Sequence, residues 1–153
     1  MSALRRLIAG VGQPYRGDDA AGLLVAERLA DQPPPDARVL SHRGDLARLA
    51  AEWPGWPEVV VVDCARMDAP PGTVRTLDAV ATPLPRALFP ASSHLIGLAE
   101  VVELARNTGR LPGALTIHAI AGDSFTLGSE PQGAVIAAVE HVVSLLHTAA
   151  PAV

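Results

Sequence analysis

The chain has 153 residues, of which 49% are hydrophobic and 18% are charged. That length fits a single domain, and the composition is that of a compact globular protein and excludes a disordered one. The net charge of −4 and the lack of any basic run exclude nucleic acid as an expected partner. We therefore expect one domain over residues 1–153.

The cysteine content and the N-terminal segment indicate the compartment. Cys64 is the only cysteine, which excludes a disulfide framework and a cysteine-based zinc site. Arg5 and Arg6 superficially resemble a twin-arginine signal, but Gly10 and Gly12 end the apolar run too early for a signal sequence. No segment approaches the roughly 18 apolar residues that a membrane span needs. The sequence thus predicts a cytoplasmic protein without a membrane partner.

The first part of the chain alternates strand and helix patterns. Apolar residues predict a strand over Leu4–Ala9, and helical spacing predicts a helix over Asp19–Leu29 that prolines 33–35 end. A short strand over Arg38–Ser41 and a short helix over Asp45–Trp53 are predicted next.

The clearest strand is Val59–Val62, because four valines without alternation are typical of a parallel strand covered on both faces. A strand is predicted over Thr73–Leu77, and a long connection that contains prolines follows over residues 78–93. A helix over Leu95–Thr108, a strand over Ala114–Ile120 and a helix over Val135–His147 complete the predicted elements. This alternation predicts an α/β domain with a mostly parallel, doubly wound sheet of about five strands.

A glycine-rich segment, Gly10–Gly22, directly follows the first strand and contains the adjacent acids Asp18 and Asp19. Open α/β sheets bind ligands at the carboxyl edge of their strands. Glycines allow close backbone approach and acids repel phosphate, so the segment indicates a site for a cation or a polar chain. A dinucleotide fingerprint would need glycine where Tyr15 stands, so a dinucleotide-binding domain is only an alternative.

Three side chains are expected to meet at this edge of the sheet. Asp19 follows the first strand and Asp63 ends the four-valine strand, and these two strands are expected to be neighbours. His94 begins the next long helix and can reach the same crevice. Two carboxylates and one imidazole suit a divalent transition metal with positions left open for water or substrate.

Some acidic and thiol residues near this edge also have a purely structural interpretation. Asp18 or Asp19 can cap the first helix and interact with its dipole. Cys64 adjoins Asp63 and suggests a thiol–imidazole pair with His94. Neighbouring residues of a strand point to opposite faces, so we expect Cys64 to face the core.

Several motifs occur in order and resemble one family. They are Gly10-x-Gly12, Gly17-Asp18-Asp19-x-x-Gly22, Val62-Asp63 and Ser93-His94-x-x-Gly97-Leu98. With these motifs the chain resembles the maturation proteases of nickel–iron hydrogenases. The resemblance implies a three-layer α/β/α sandwich. It also implies a cytoplasmic endopeptidase that removes a C-terminal extension from the hydrogenase large-subunit precursor once nickel has been inserted.

The resemblance also implies roles for individual residues. Asp19 and Asp63 would be catalytic, and together with His94 they would bind a divalent metal, expected to be the nickel of the immature substrate. No organic cofactor is implied. The substrate loop would comprise Gly10, Gly12, Gln13, Asp18 and Gly22.

The chain departs from the family pattern in loops near the crevice. Gln13 stands where the family usually has asparagine, Ser41–Asp45 replaces a glycine–threonine turn, and the loop over residues 121–134 is shorter and altered. These changes affect the expected substrate more than the fold. A nonenzymatic, nickel-dependent binding or chaperone module that uses the same crevice is the other alternative.

Overall fold

The computed structural model describes residues 4–44, 46–90 and 96–148. In chain order the elements are β1 (Arg6–Val11), α1 (Ala21–Asp31), β2 (Ala37–His42), α2 (Leu46–Glu52), β3 (Glu58–Ala65), β4 (Val74–Asp78), α3 (Leu98–Asn107), β5 (Leu115–Ala121) and α4 (Gly133–Thr148). Short 3-10 helices cover Gly17–Ala20 and Arg86–Leu88. The predicted strand–helix alternation and α/β class are confirmed.

The strands form one sheet in the order β2-β1-β3-β5-β4. All neighbours are parallel except β4, which pairs antiparallel with β5. Strand β1 lies beside β3 as the sequence predicted, with Gly10 opposite Val62. The carboxyl ends of these two strands therefore meet at one edge of the sheet, where the chain order reverses.

Two hydrophobic clusters cover the two faces of the sheet and give three layers. One contains residues of α2 and α3, and the other contains residues of α1 and α4. Strand β3 contributes to both, because Val59 and Val61 belong to the first cluster and Val60 and Val62 to the second. Burial on both faces explains why this strand has no polar alternation.

One predicted boundary is wrong. The predicted helix over Leu95–Thr108 begins only at Leu98, because Gly97 has an extended backbone with ψ of 164°. In the described part of the predicted connection, residues 78–90, the 3-10 helix is present and Leu88 and Phe89 lie in the core. Gly109 does follow α3 with a φ of 67°, as a glycine that ends a helix should.

A buried ion pair joins the amino-terminal edge of the sheet to the last helix. The Arg6 guanidinium donates to both carboxylate oxygens of Asp36 at 2.9 Å and to the carbonyl oxygen of Leu146 at 3.1 Å. The hydrogen bonds from Arg6 hold the pKa of Asp36 below its ordinary value of 3.8, although burial opposes this. The pair therefore stabilises the fold only while Asp36 is ionised.

Replacing Asp36 with asparagine should lower the free energy of unfolding by about 2 kcal/mol at neutral pH, because Arg6 stays buried with weaker acceptors. A depressed folded-state pKa means that this contribution is complete above pH 4 and is lost as pH falls through the folded-state pKa. Urea unfolding at several pH values between 2 and 7 measures this. A wild type and an Asp36→Asn variant with the same stability at pH 7 would contradict it.

Candidate active site

A cleft of about 600 Å³ lies at the carboxyl edge of β1 and β3. Both predicted acids line it, and so do two predicted loop residues and several residues not predicted from the sequence. The lining includes Gly12, Gln13, Arg16, Asp19, Asp63, Cys64, Arg66, Leu88, Leu98 and Phe125. Of the predicted substrate-loop residues, Gly12 and Gln13 therefore reach the cleft, whereas Gly10, Asp18 and Gly22 do not line it.

Glycines bring the loop between β1 and α1, here called the acid loop (residues 12–20), close to the sheet. A Cβ atom on Gly12 would lie 2.1 Å from the carbonyl oxygen of Asp19. A Cβ atom on Gly22 would lie 2.2 Å from the carbonyl oxygen of Val11 and 2.3 Å from that of Val62. Only glycine permits these approaches, so the glycine spacing places Asp19 over the ends of the strands.

Asp19 lies in the 3-10 helix Gly17–Ala20 and is half-buried. Burial raises the pKa of its carboxyl group, whereas the backbone N–H of Gln13 and the charges of Arg66 and Arg16 lower it; the net pKa is raised. The cleft therefore contains both acids and arginines, with Arg16 and Arg66 on its lining.

Asp63 lies in β3, where strand alternation turns its side chain toward the α2 and α3 layer. Burial raises the pKa of Asp63 well above its ordinary value, the negative charge of Asp19 raises it further, and the backbone N–H of Cys64 lowers it. The two carboxylates therefore repel each other across the cleft. A bound cation would relieve that repulsion, so the two acids fit a divalent metal through their charge and their oxygen ligands.

The third predicted ligand, His94, lies outside the described residues, as does Asp45. Within residues 4–44, 46–90 and 96–148, no three His, Cys, Asp or Glu side chains are grouped so that they could hold a metal ion. The metal role of Asp19, Asp63 and His94 therefore stays a prediction.

Asp18 does not cap α1, because residue Ala20 occupies the N-cap position and makes no side-chain cap bond. Its fully buried carboxylate points away from the cleft to the loop between β5 and α4, here called the wall loop (residues 122–132). It accepts hydrogen bonds from the backbone N–H groups of Asp123, Ser124 and Gln132 and from Nε2 of Gln132. Burial raises the pKa of Asp18, but these bonds outweigh it, and the net pKa is lowered.

Arg66 and Phe125 are two of the cleft residues that sequence analysis missed. The guanidinium carbon of Arg66 lies 4.7 Å from the ring centroid of Phe125, a cation–π contact. Phe125 packs against the α1 and α4 core, so this pair lines the cleft on that side of the sheet. A basic residue directly after the acidic strand end was the only local signal for Arg66, and Phe125 had none.

Cys64 faces the α1 and α4 core and is 8% exposed, which fits the predicted orientation. Burial raises the pKa of the Cys64 thiol far above its ordinary value, and the charges of Asp63, Asp19 and Asp18 raise it further. A thiol that stays protonated is a poor nucleophile.

We expect Cys64→Ala to retain peptidase activity and to cost about 1 kcal/mol of stability, because it removes one buried sulfur. Activity and thermal unfolding of the purified variant measure the two effects. Abolished activity in a folded Cys64→Ala variant, together with alkylation of Cys64 in the native wild type, would instead identify a thiol mechanism.

A glycine-positioned acid loop and a strand-end acid at the switch point of a doubly wound sheet form a crevice that suits a cation or a polar chain better than a phosphate. The comparisons with known proteins make this assignment specific. The profile of the hydrogenase maturation protease family matches residues 45–149, and the chain belongs to this family. It is therefore a hydrolase, an endopeptidase of the hydrogenase maturation type.

Solved structures of hydrogenase maturation endopeptidases share the fold. HybD from E. coli is 26% identical with a TM-score of 0.78, and the alignment covers 94% of this chain and 90% of that one. HycI from Thermococcus kodakarensis KOD1, a nickel–iron hydrogenase maturation protease, is 29% identical with a TM-score of 0.70 over the same shares of the two chains. The three-layer fold predicted from the resemblance is thus confirmed. None of the curated proteins matches the chain.

No helix within the described residues has both the length and the apolar character that crossing a membrane requires.

Proposed function

We propose that this endopeptidase removes the C-terminal extension of a nickel–iron hydrogenase large subunit after nickel insertion. The observation that carries the proposal is the pair of mutually repelling carboxylates, Asp19 and Asp63, in a cleft at the sheet edge of a hydrogenase maturation protease. As in the family it resembles, we place the reaction in the cytoplasm and name the large-subunit precursor as partner.

The nickel belongs to the substrate in this proposal. Asp19, Asp63 and His94 would bind it, which docks the cleavage junction in the cleft and makes cleavage depend on a loaded precursor. The metal, when bound, supplies positive charge that can polarise a nearby oxygen. No organic cofactor is part of the proposal.

The two acids can also carry out the proton transfers of peptide hydrolysis. The oxygen of a water molecule attacks the carbonyl carbon of the scissile bond, and its proton passes to a carboxylate of the Asp19–Asp63 pair. That proton then passes to the leaving nitrogen as the C–N bond breaks. The pKa of both groups is raised, which makes each carboxylate a stronger base than an ordinary aspartate.

The two rival functions predict different behaviour. A binding or chaperone module would bind the nickel-loaded precursor and leave it full length, whereas a dinucleotide-binding domain would be stabilised by nucleotide in thermal melts. The acids in the cleft oppose the second alternative, because they repel phosphate.

Mass spectrometry of a large subunit co-expressed with this protein tests the proposal. We expect the nickel-loaded precursor to lose a single C-terminal peptide, and the same precursor without nickel to stay intact. A full-length large subunit in both samples would refute the protease function.

A further inference from the structure

Asp18 connects the acid loop to a part of the cleft that is distant in sequence. Its carboxylate accepts hydrogen bonds from the backbone N–H groups of Asp123 at 3.0 Å, Ser124 at 3.1 Å and Gln132 at 2.9 Å. It also accepts a hydrogen bond from Nε2 of Gln132 at 2.6 Å, and the same Nε2 donates to the carboxylate of Asp123 at 2.6 Å. Hydrogen bonds to a buried, ionised acceptor are about twice as strong as neutral ones.

Backbone contacts run beside these side-chain bonds. Each of these contacts joins a backbone N–H to a carbonyl oxygen: Asp18 donates to Ser124 at 2.9 Å, Gly17 to Ser129 at 3.1 Å, and Gly128 to Tyr15 at 2.6 Å. The wall loop has no helix or ladder of its own beyond a single bridge from Arg16 to Ser129. Its conformation therefore depends on the acid loop, and Asp18 provides most of the side-chain bonds between the two.

The wall loop in turn determines the position of Phe125, and Phe125 supports Arg66. Both residues line the cleft, and the charge of Arg66 acts on Asp19 there. Phe125 lies in no helix or strand and is held by the wall loop and by packing against the α1 and α4 core, so release of the wall loop would loosen both the ring and the guanidinium group that lies over it.

We propose that Asp18 is a positioning residue for substrate binding: its carboxylate fixes the wall loop so that Phe125 and Arg66 bind the precursor's peptide beside the catalytic acids. The inference rests on the proposed function, because the bound peptide is that of the precursor. It gives Asp18 and Asp19, which are adjacent in the chain, different roles, since one positions the wall of the cleft and the other acts inside it.

Steady-state cleavage of purified, nickel-loaded precursor tests this. Asp18→Asn keeps the volume but replaces one acceptor oxygen with a donor, so we expect KM to rise about tenfold with kcat changed less than about threefold, the pattern of lost uniform binding. A merely destabilised enzyme would instead lower the active fraction, which reduces the apparent kcat and leaves KM unchanged. Asp36→Asn is the matched control, because it weakens a buried ion pair at the other edge of the sheet and should show an unchanged KM.

Two further measurements test the mechanism. If Asp18 acts through Phe125, the double variant Asp18→Asn/Phe125→Ala should have nearly the KM of the worse single variant; additive effects on log KM would contradict the proposal. In hydrogen exchange without substrate, Asp18→Asn should expose the amides of Asp123, Ser124 and Gln132 while the amides of β3 stay protected. Unchanged protection of those three amides would overturn it.

A milder variant covers the case in which Asp18→Asn does not fold. Gln132→Met removes the side-chain bonds to Asp18 and Asp123 and keeps the backbone donor, so we expect a smaller rise in KM in the same direction. An unchanged KM in every folded variant, with wild type that cleaves the precursor, refutes the role of Asp18 and leaves the proposed function standing. Wild type that does not cleave the precursor refutes the proposed function itself, and the proposed role of Asp18 fails with it.

Discussion

Replacing Asp63 with asparagine is expected to abolish cleavage of the precursor without loss of the fold. The substitution keeps the size of the side chain and the packing of β3, but it removes a carboxylate that would bind the substrate metal and accept a proton. The folded state raises the pKa of Asp63, so ionising this group at neutral pH destabilises the protein. The variant should therefore lose activity by at least about 100-fold and unfold at the same temperature as wild type or at a higher one.

Cleavage assays and calorimetric unfolding measure the two effects, and titration with nickel gives a third readout. We expect the affinity for nickel, presented as the free ion, to fall sharply in Asp63→Asn. Asp68→Asn is the matched control, because Asp68 is an exposed acid five residues further on and does not line the cleft. An Asp63→Asn variant that keeps wild-type nickel affinity would refute the ligand role, and one that keeps cleavage would refute the catalytic role.

The opposite effects on activity and stability are characteristic of functional acids. A surface acid is solvated and tolerates neutralisation, whereas Asp19 and Asp63 are held near each other in partial burial. Such an arrangement is costly to the folded state, and acids with strongly perturbed pKa values in a cleft are typical of functional sites. The stability measurement on Asp63→Asn thus tests the site independently of any substrate.

The adjacency of β1 and β3 and the positions of the two cleft acids were predictable from local patterns and the usual strand order of doubly wound sheets. The four consecutive valines identify β3 as a central strand, and a glycine-rich turn after β1 identifies the carboxyl edge. Once β1 and β3 are neighbours, Asp19 and Asp63 must face the same crevice. No knowledge of distant contacts is needed for that inference.

The contacts that shape the rest of the cleft are distant in sequence and had no local signal. The partners of Asp18 lie 105 to 114 residues further along the chain, so adjacency to Asp19 suggested a helix cap in place of a loop anchor. Phe125 and Arg66 are likewise distant in sequence, and they meet where the start of the wall loop bonds to the end of β3, through the N–H of Gly122 and the carbonyl oxygen of Ala65. The start of α3 was misplaced for a related reason, since apolar periodicity does not reveal that Gly97 is extended.

Gly22→Ala is expected to be among the most destabilising single substitutions in this chain. Its methyl group would lie 2.2 Å from the carbonyl oxygen of Val11 and 2.3 Å from that of Val62, so helix α1 would have to move away from both β1 and β3. These carbonyl oxygens belong to the backbone of the sheet, which cannot move aside as the flexible end of a side chain can. We expect a loss of about 3 kcal/mol or more of unfolding free energy, which corresponds to a fall in Tm of roughly 6–12 °C for a domain of this size.

Gly133→Ala is the matched control for Gly22→Ala. Gly133 begins α4, is exposed and has nothing within 4 Å of its added Cβ, so alanine should leave Tm unchanged or raise it slightly through better helix propensity. Thermal unfolding of the two variants side by side therefore separates close packing from the general effect of losing a glycine. Because α1 follows the acid loop directly, Gly22→Ala should also displace Asp19 and reduce cleavage in whatever fraction stays folded. A Gly22→Ala variant with wild-type Tm would show that α1 does not lie as close to β1 and β3 as the structure places it. That result would also contradict the position of Asp19 over the strand ends.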